Sequence, residues 1–292
     1  MLICHTIDEV RGFIRQVRAS VCTIGLVPTM GYFHEGHLSL MREAKKKCTK
    51  VVVSIFVNPL QFGLQEDFNE YPRDFERDQE MARKVGVDAM LIPSEEEMYP
   101  AGFSTHVEVE GLTQYLCGFS RPGHFCGVTT VVNKLFNIVL PDKAFFGQKD
   151  AQQVLVIKRM VRDLNMPLEI VTVPTVREPD GLAMSSRNVY LDYRERRAAL
   201  VLWRSLKTVE QAVASGERDI TRLRWIAQQE ITSEPLAKID YVEIRSLPDL
   251  GPINLLRGPA LLALAVYIGK TRLIDNTVLN SGGFLLNVFD HA

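Results

Sequence analysis

The chain has 292 residues, of which 46% are hydrophobic and 24% are charged, and its formal net charge is −1. This composition is typical of a globular protein with one large domain or two smaller ones, and it argues against a disordered chain. A charge this close to zero also argues against a general nucleic-acid binder or a membrane-surface binder, because both classes need a basic excess.

The N-terminal sequence lacks the basic region, apolar core and cleavage site of a signal peptide. The longest apolar run, at 259–268, has about half of the ~20 residues that a membrane-spanning helix requires. The five cysteines are an odd number without a C-x-x-C pair, which favours a reducing environment over a disulfide framework or a zinc cluster. These features predict a cytoplasmic protein that binds no membrane and no nucleic acid.

Strands and helices alternate from the start of the chain. Thr6 and Glu9 have the spacing of a capping box and predict an opening helix. The apolar run 21–27, followed by helical periodicity over 38–48, predicts a strand, a turn and a helix. The run 51–57 is too continuously apolar for a half-exposed strand and indicates a central strand of a parallel sheet.

The alternation continues to about residue 175, after which the pattern changes. The further predicted elements are a helix at 72–85, strands at 89–92 and 105–109, a helix at 127–140, a strand at 144–146, a helix at 151–164, a strand at 168–173, helices at 192–214 and 220–232, and strands at 241–244, 261–267 and 271–274. Strands that alternate with helices predict βαβ units. We therefore predict an α/β protein with a Rossmann-like parallel-sheet N-terminal domain at 1–175 and a smaller α+β C-terminal lid domain at 176–292.

The stretch 27–40 is the first candidate site, because it leads from a predicted strand through a turn into a helix. It contains Gly31, His34, Gly36 and His37. A helix N-terminus offers unpaired N–H groups and a partial positive charge, which favour a phosphate ligand. Alternatively, the glycines only form a turn and the histidines only cap the helix. A metal site is less favoured, since no third ligand is close at ligand spacing.

Three further polar stretches follow predicted strands or the predicted boundary, namely 58–63, 145–153 and 184–188. Amides in the first suit a substrate that carries hydroxyls and a carboxylate. Lys149 in the second can meet phosphate, and the aspartate beside it can cap a helix or hold magnesium. Two serines and Arg187 in the third can close over a polyphosphate. Taken alone, the three stretches are more typical of a polar turn, a solvated ion pair and an interdomain loop, respectively, than of a binding site.

Together, these stretches resemble the pantoate–β-alanine ligase (pantothenate synthetase) family. The resemblance spans residues 27–188 and depends on five motifs that occur in the family's order. The motifs are Pro28–His37, Asn58–Gly63, Tyr71–Asp74, Gly147–Gln153 and Met184–Asn188. The His-x-Gly-His pattern is shared with a wider nucleotidyltransferase superfamily, whereas the combination of motifs is specific to the family.

The resemblance implies a two-step, ATP-dependent ligation. The carboxylate of (R)-pantoate attacks the α-phosphorus of ATP and forms pantoyl adenylate and pyrophosphate. The amine of β-alanine then displaces AMP and forms pantothenate. The resemblance further implies Mg²⁺ as the companion of ATP, and a homodimer.

The resemblance also implies roles for individual residues. His34 and His37 would contact the phosphates, with His37 as a proton donor, while Lys149 and Arg187 would supply positive charge; these four are the candidate catalytic residues. The implied pantoate and β-alanine site consists of Gln61, Gln153 and Asn58. The implied ATP-binding residues are Met30, Gly31, Tyr32, Phe33, His34, Glu35, Gly36, His37, Gly147, Gln148, Lys149, Asp150, Val176, Met184, Ser185, Ser186 and Arg187.

The chain departs from the family pattern at Tyr32 and Phe33, where a small residue and leucine are more usual, so we expect the turn to pack differently. Ala183 and Arg187 replace the two lysines of the signature loop of class I tRNA synthetases, which disfavours a synthetase. Outside the motifs, 121–124 is a weaker candidate for an anion contact, because Pro-Gly is mainly a turn signature.

Two other functional classes are open from the residues alone. A nucleotidylyltransferase that acts on a phosphate-bearing acceptor would need cationic side chains where this chain has the neutral Gln61 and Gln153. A nucleotide-sensing module without catalytic activity would not need these glutamines beside an ATP site.

Overall fold

A computed structural model describes residues 1–63 and 66–280 of the chain. Its strands are β1 (Leu2–Cys4), β2 (Ile24–Thr29), β3 (Lys50–Ile55), β4 (Ala89–Leu91), β5 (Lys143–Gly147), β6 (Glu169–Val173), β7 (Ala237–Ser246), β8 (Ala260–Ile268) and β9 (Thr271–Leu279). Its helices are α1 (Ile7–Arg18), α2 (Glu35–Lys47), α3 (Phe75–Val85), α4 (Glu95–Met98), α5 (Leu116–Ser120), α6 (His124–Val139), α7 (Ala151–Asp163), α8 (Tyr193–Ala198), α9 (Leu200–Ala214) and α10 (Ile220–Thr232).

The chain divides into two units that are interleaved along the sequence. The first contains the described residues within 1–110, 121–148 and 156–174. The second contains 111–120, 149–155 and the described residues from Thr175 onward. The domain limits of 1–175 and 176–292 stay a prediction, and residues 281–292 lie outside the described part of the chain.

The first unit is built on a six-stranded sheet with the order β1-β4-β3-β2-β5-β6, and all its strand pairs are parallel. The valines of β3 are fully buried, as its unbroken apolar run predicts, and Val53 lies opposite Val27 of β2. The chain builds β3 and β4 on one side of β2 and later returns to its other side with β5 and β6. Ligands of parallel sheets bind where the strand order reverses in this way, at the carboxyl ends of the strands.

The second unit contains a three-stranded antiparallel sheet with the order β7-β8-β9. The long apolar run of the sequence is its central strand β8, and α9 and α10 contribute Leu206 and Leu223 to the core beside it. Within residues 1–63 and 66–280, no helix has both the length and the apolar character to cross a membrane. The predicted fold class, a parallel α/β sheet with a separate smaller unit, is confirmed.

Two predicted elements are wrong. Residues 105–109 form no strand, because the backbone of Val107 is hydrogen-bonded to side chains of α6 and not to another strand. Val107 N donates to Thr130 Oγ1 at 3.0 Å, and Thr129 Oγ1 donates to Val107 O. The predicted helix at 192–214 is divided into α8 and α9. At the junction, Leu202 N donates to Ala199 O at 3.2 Å, a three-residue spacing that tightens the chain there.

Candidate active site

The turn after β2 has a backbone shape that requires glycine at one position. Gly31 has φ +87°, and a Cβ there would lie 3.0 Å from Ile55 Cγ2 and 3.2 Å from Asp78 Oδ2. Thr29 Oγ1 fixes the start of the turn, since it donates to Ser54 O at 2.6 Å and accepts from Gly31 N at 3.2 Å. The chain therefore leaves β2 in a tight bend against the end of β3.

The carboxylate of Asp78 in α3 holds the second half of this turn. It accepts hydrogen bonds from Tyr32 N at 2.7 Å and from Phe33 N at 2.6 Å, and the residue is only 1% exposed. Burial raises the pKa of Asp78, although the two N–H groups act in the opposite direction. Asp78 is not among the residues predicted from the sequence. Its only signal is an acidic residue on the buried face of α3, four residues before the buried Ala82.

Tyr32 and Phe33, the two departures from the family pattern, pack in different surroundings, and the predicted change in the packing of the turn stays a prediction. Phe33 is fully buried in the core of the first unit, and its ring lies 5.5 Å from the ring of His37. Tyr32 has φ +51°, and the guanidinium of Arg77 lies 5.1 Å from its ring centre. A cation over a ring is favourable and orients the tyrosine toward α3.

His34 and His37 form the N-terminal cap of α2 through reciprocal hydrogen bonds. His34 Nδ1 accepts from Gly36 N at 3.1 Å, and His37 Nδ1 accepts from His34 N at 3.3 Å. The two ring centres are 4.1 Å apart. Because each Nδ1 is an acceptor, the proton of each neutral imidazole is on Nε2. Capping, which the sequence left as the alternative to a ligand role, thus fixes the tautomer in which both rings can donate from Nε2.

Asn58 and Gln61 lie just after β3 and are tied to each other and to Met30. Asn58 Nδ2 donates to Gln61 Oε1 at 3.2 Å and to Gly127 O at 3.0 Å, and Tyr99 OH donates to Asn58 Oδ1 at 2.8 Å. Gln61 Nε2 lies 3.0 Å from Met30 Sδ. Asn58 is 1% exposed, so its amide serves to hold the loop in shape. The structure therefore brings together Met30, Asn58 and Gln61, three of the predicted site residues.

The backbone of Gln61 is held by Arg121 and His124. His124 Nδ1 lies 2.8 Å from Gln61 O, and Arg121 Nη2 donates to the same carbonyl at 3.3 Å. Arg121 also forms a two-pronged ion pair with Glu66, with both distances at 2.6 Å. Burial acts to raise the pKa of Glu66, but the Arg121 guanidinium, the Gly63 N–H and His124 together outweigh it, and the net pKa is lowered. Arg121 therefore has its partners within the first unit, and the anion contact suggested for 121–124 stays a prediction.

A cavity of about 210 Å³ in the first unit opens beside the turn and is lined by Met30–Tyr32, Ile55–Val57 and Asp78, among others. Its lining does not include the histidines or Gln61. Ligand pockets commonly measure about 300–1,000 Å³, so this cavity is smaller than a typical ligand pocket and is not assigned to the predicted ATP site.

The predicted residues at the end of β5 are divided between the two units. Gly147 and Gln148 lie in the first unit, and Lys149 and Asp150 lie in the second. Lys149 O accepts from Asn276 Nδ2 at 2.8 Å. Gln153, a predicted substrate residue, is half-buried at the start of α7. Its neighbour Gln152 has a different role: its side chain binds Cys117 N at 2.9 Å, Leu112 O at 2.8 Å and Tyr115 O at 2.7 Å.

The remaining predicted residues lie on a hairpin of the second unit and on the turn that follows it. Met184 N donates to Val176 O at 3.0 Å, which places the two ends of the hairpin side by side. Ser185 Oγ then accepts from Arg187 N at 3.3 Å and caps a short 3₁₀ helix, Ser186–Tyr190. In the part of the chain that the structure describes, no group of three or more His, Cys, Asp or Glu side chains is arranged to hold a metal ion.

Comparisons with known proteins give one consistent family. The model of the family described as pantoate-beta-alanine ligase matches residues 2–278. Among similar proteins, the pantothenate synthetase of Pelotomaculum thermopropionicum is 66% identical over 279 residues, which cover 96% of this chain and 99% of that protein. The pantothenate synthetase of Moorella thermoacetica is 59% identical, with the same coverage.

Solved structures agree. The crystal structure of pantothenate synthetase from Thermus thermophilus is 45% identical, with a TM-score of 0.90 and coverage of 95% of this chain and 99% of that one. The structure of pantoate-beta-alanine ligase from Francisella tularensis, complexed with beta-gamma ATP and beta-alanine, is 34% identical, with a TM-score of 0.78 and coverage of 95% and 97%.

Proposed function

The chain belongs to the pantoate-beta-alanine ligase family, and from that premise we propose that it joins (R)-pantoate to β-alanine with consumption of ATP, through the residues described above. The products are pantothenate, AMP and pyrophosphate, and the intermediate is pantoyl adenylate. Among the structural observations, one carries this proposal: two imidazoles cap α2 through their Nδ1 atoms, just beyond the carboxyl end of β2 and in the same turn whose Met30 contacts Gln61.

In the first step, a carboxylate oxygen of pantoate forms a bond to the α-phosphorus of ATP, and the bond between this phosphorus and pyrophosphate breaks. Negative charge grows on the phosphate oxygens as this happens. We assign His34 and His37 to donate Nε2–H bonds to those oxygens, and His37 to supply a proton to the leaving group. Donors that are already oriented stabilise such charge without further reorganisation.

In the second step, the neutral amine of β-alanine attacks the acyl carbon of the adenylate. A C–N bond forms, the C–O bond to AMP breaks, and the nitrogen loses a proton. This step needs the amine and the acyl carbon to be held in contact, so positioning provides most of the rate enhancement. We assign Gln61 and Gln153 to hold pantoate, and Gln61 to border β-alanine. For Asn58 we propose an indirect role, since its amide orients Gln61.

We assign ATP binding to the residues that the family resemblance implies. Of these, Lys149 and Arg187 supply positive charge and Val176 contacts adenine. The others are Met30–His37, Gly147, Gln148, Asp150, Met184, Ser185 and Ser186. The lysine and the arginine are the residue types that bind phosphate as a point charge and as a two-pronged donor, respectively.

We propose Mg²⁺ as the ion that accompanies ATP. The donor set of the described residues does not form a resident metal site. It fits an ion that arrives with the nucleotide, because Mg²⁺ is usually held by one or two carboxylates together with substrate phosphates, and Asp150 offers one carboxylate. When bound, the ion neutralises charge on the phosphate oxygens.

We further propose, from the family resemblance, that the protein is a homodimer, and from its sequence composition and charge that it is cytoplasmic and binds no nucleic acid. Sedimentation of the purified chain tests the dimer. The net charge of −1 supports the last point, because phosphate backbones attract basic surfaces.

The decisive experiment measures pyrophosphate and pantothenate with ATP, Mg²⁺ and pantoate, with and without β-alanine. We expect pyrophosphate release to depend on pantoate and pantothenate to appear only when β-alanine is added. An absence of pantoate-dependent turnover would refute the proposal. In the same assay, Gln61→Ala should raise the KM for pantoate and leave the KM for ATP unchanged. The surface variant Gln229→Ala, on α10, is the matched control and should change neither.

A further inference from the structure

Two consecutive polar residues in β9, Asp275 and Asn276, are almost completely buried, at 2% and 5% exposure. Burial of a carboxylate or an amide is costly unless each finds hydrogen-bond partners. Both residues have partners within the second unit, and these partners lie in the two segments to which we assign ATP binding.

Asp275 holds the hairpin that begins at Val176. Its carboxylate accepts two bonds from Arg177, from Nη1 at 2.7 Å and from Nη2 at 2.9 Å. Arg177 Nη1 also donates to Gly181 O at 3.0 Å, across the hairpin. The guanidinium lies over the ring of Trp203 in α9, 4.0 Å from the ring centre, and this contact also holds it in place. Asp275 therefore fixes the orientation of the hairpin at its base.

Asn276 holds the other segment, because its Nδ2 donates to Lys149 O at 2.8 Å. The charge of Lys149 also acts on Asp275. Burial raises the pKa of Asp275, and both Arg177 and Lys149 oppose that rise. One short stretch of β9 is thus connected to Lys149 on one side and to the hairpin that leads to Arg187 on the other.

We propose that Asp275 and Asn276 are positioning residues for ATP, which hold Lys149 and the 176–187 segment in fixed places relative to each other. This inference rests on the proposed function. Cations stabilise phosphate charge most effectively when they are already oriented, and small displacements of such groups are expensive. The pair touches no substrate and acts through the segments that it anchors.

The test compares Asn276→Ala with Thr277→Ala, the next residue of the same strand. Thr277 Oγ1 donates to Glu210 Oε1 of α9 at 2.7 Å. Thr277→Ala therefore also removes one side-chain hydrogen bond of β9, but this bond leads to α9 and not to a segment assigned to ATP binding. We expect Asn276→Ala to weaken ATP binding about tenfold, as is typical of losing one buried hydrogen bond, and to leave the KM for pantoate and β-alanine unchanged. Thr277→Ala should lower the melting temperature to a similar extent and leave ATP binding unchanged. Asn276→Ser, which keeps a donor, should restore part of the ATP affinity.

ATP affinity is measured twice, as a KM in the pyrophosphate assay and as a Kd by calorimetry without pantoate. The inference is overturned if Asn276→Ala keeps the wild-type ATP affinity, or if all three substrates weaken equally. If Asn276→Ala does not fold, Arg177→Lys takes its place; it keeps the charge but loses the two-pronged geometry, and unchanged ATP affinity in that variant overturns the inference too. A wild-type chain without pantoate-dependent turnover would refute the proposed function, whereas calorimetry would still report on the positioning pair.

Discussion

Gly127 in α6 packs against the loop that carries Gln61, and its replacement by alanine is the sharpest test of how that loop is placed. A Cβ at this position would lie 2.2 Å from Leu60 O, 2.4 Å from Leu60 C and 2.6 Å from Gln61 N. All three are backbone atoms, so no side chain can swing away. Ordinary contacts begin at 3.4 Å, and the peptide would have to withdraw by about 1.2 Å.

This displacement reaches the proposed pantoate site directly. Asn58 Nδ2 bridges Gly127 O and Gln61 Oε1, so separation of the loop from α6 breaks one of the two bonds. A misplacement of about 1 Å can cost roughly 100-fold in rate. We therefore expect Gly127→Ala to lower kcat/KM for pantoate by about two orders of magnitude and to leave the KM for ATP nearly unchanged. Overpacking should also cost about 1–3 kcal/mol of stability.

The assay is pyrophosphate release with pantoate varied at saturating ATP, and then with ATP varied at saturating pantoate. Urea unfolding measures the stability. Gly12→Ala is the matched control, because its Cβ would find the nearest atom 3.9 Å away, on α1. That variant should keep full activity, and its free energy of unfolding should rise by up to about 1 kcal/mol, since alanine is a better helix former than glycine. A wild-type kcat/KM for pantoate in Gly127→Ala would refute the reasoning about the loop, as would an equal loss of kcat/KM for ATP.

Three further variants test other parts of the first unit. His37→Ala should reduce turnover by roughly 100-fold or more, as expected for a general acid that also stabilises charge; near-wild-type turnover in a folded variant would remove His37 from the catalytic residues. Asp78→Asn replaces one of the two acceptor oxygens by a donor. It should lower the free energy of unfolding, measured with urea, by about 2 kcal/mol and raise the KM for ATP. Unchanged values would mean that the carboxylate does not hold the turn. Burial acts to raise the pKa of Asp88, but its hydrogen bonds with Lys45, Val51 N and Lys50 together outweigh this and lower the pKa. The stabilisation by Asp88 is therefore present at neutral pH and is lost as the pH falls below about 4. The stability difference between wild type and Asp88→Asn should therefore shrink on acidification, and a difference that is constant with pH would contradict this.

The elements that the sequence predicts well are those whose signals are local. The capping box of Thr6 and Glu9 is present at the start of α1, and Asp192 caps α8 together with Glu195. In both motifs the partners are only three positions apart, so they can be read from the sequence. The unbroken valine run predicts β3 for a similar reason, because continuous apolar character reports burial on both faces of a strand.

The features that escaped prediction depend on partners that are distant in sequence. Asp78 meets Tyr32 and Phe33 more than 40 residues away, and Asn276 meets Lys149 more than 120 residues away. A short motif contains no record of such partners, so Asp78 looks like one more charge on a helix. β1 escaped because three residues are too few to show an alternation. The residues of the proposed site came from the family resemblance, and their roles stay predictions.

The interleaving of the two units has a consequence for recombination of related genes. A crossover at codon 174 or 175 looks natural, yet the second unit also takes 111–120 and 149–155 from the upstream half. A chimaera made there would draw Cys117 and Tyr241, whose side chains lie 3.2 Å apart, from different parents, and likewise Lys149 and Asn276. Functional hybrids from a crossover there are therefore expected only between parents that share both pairs.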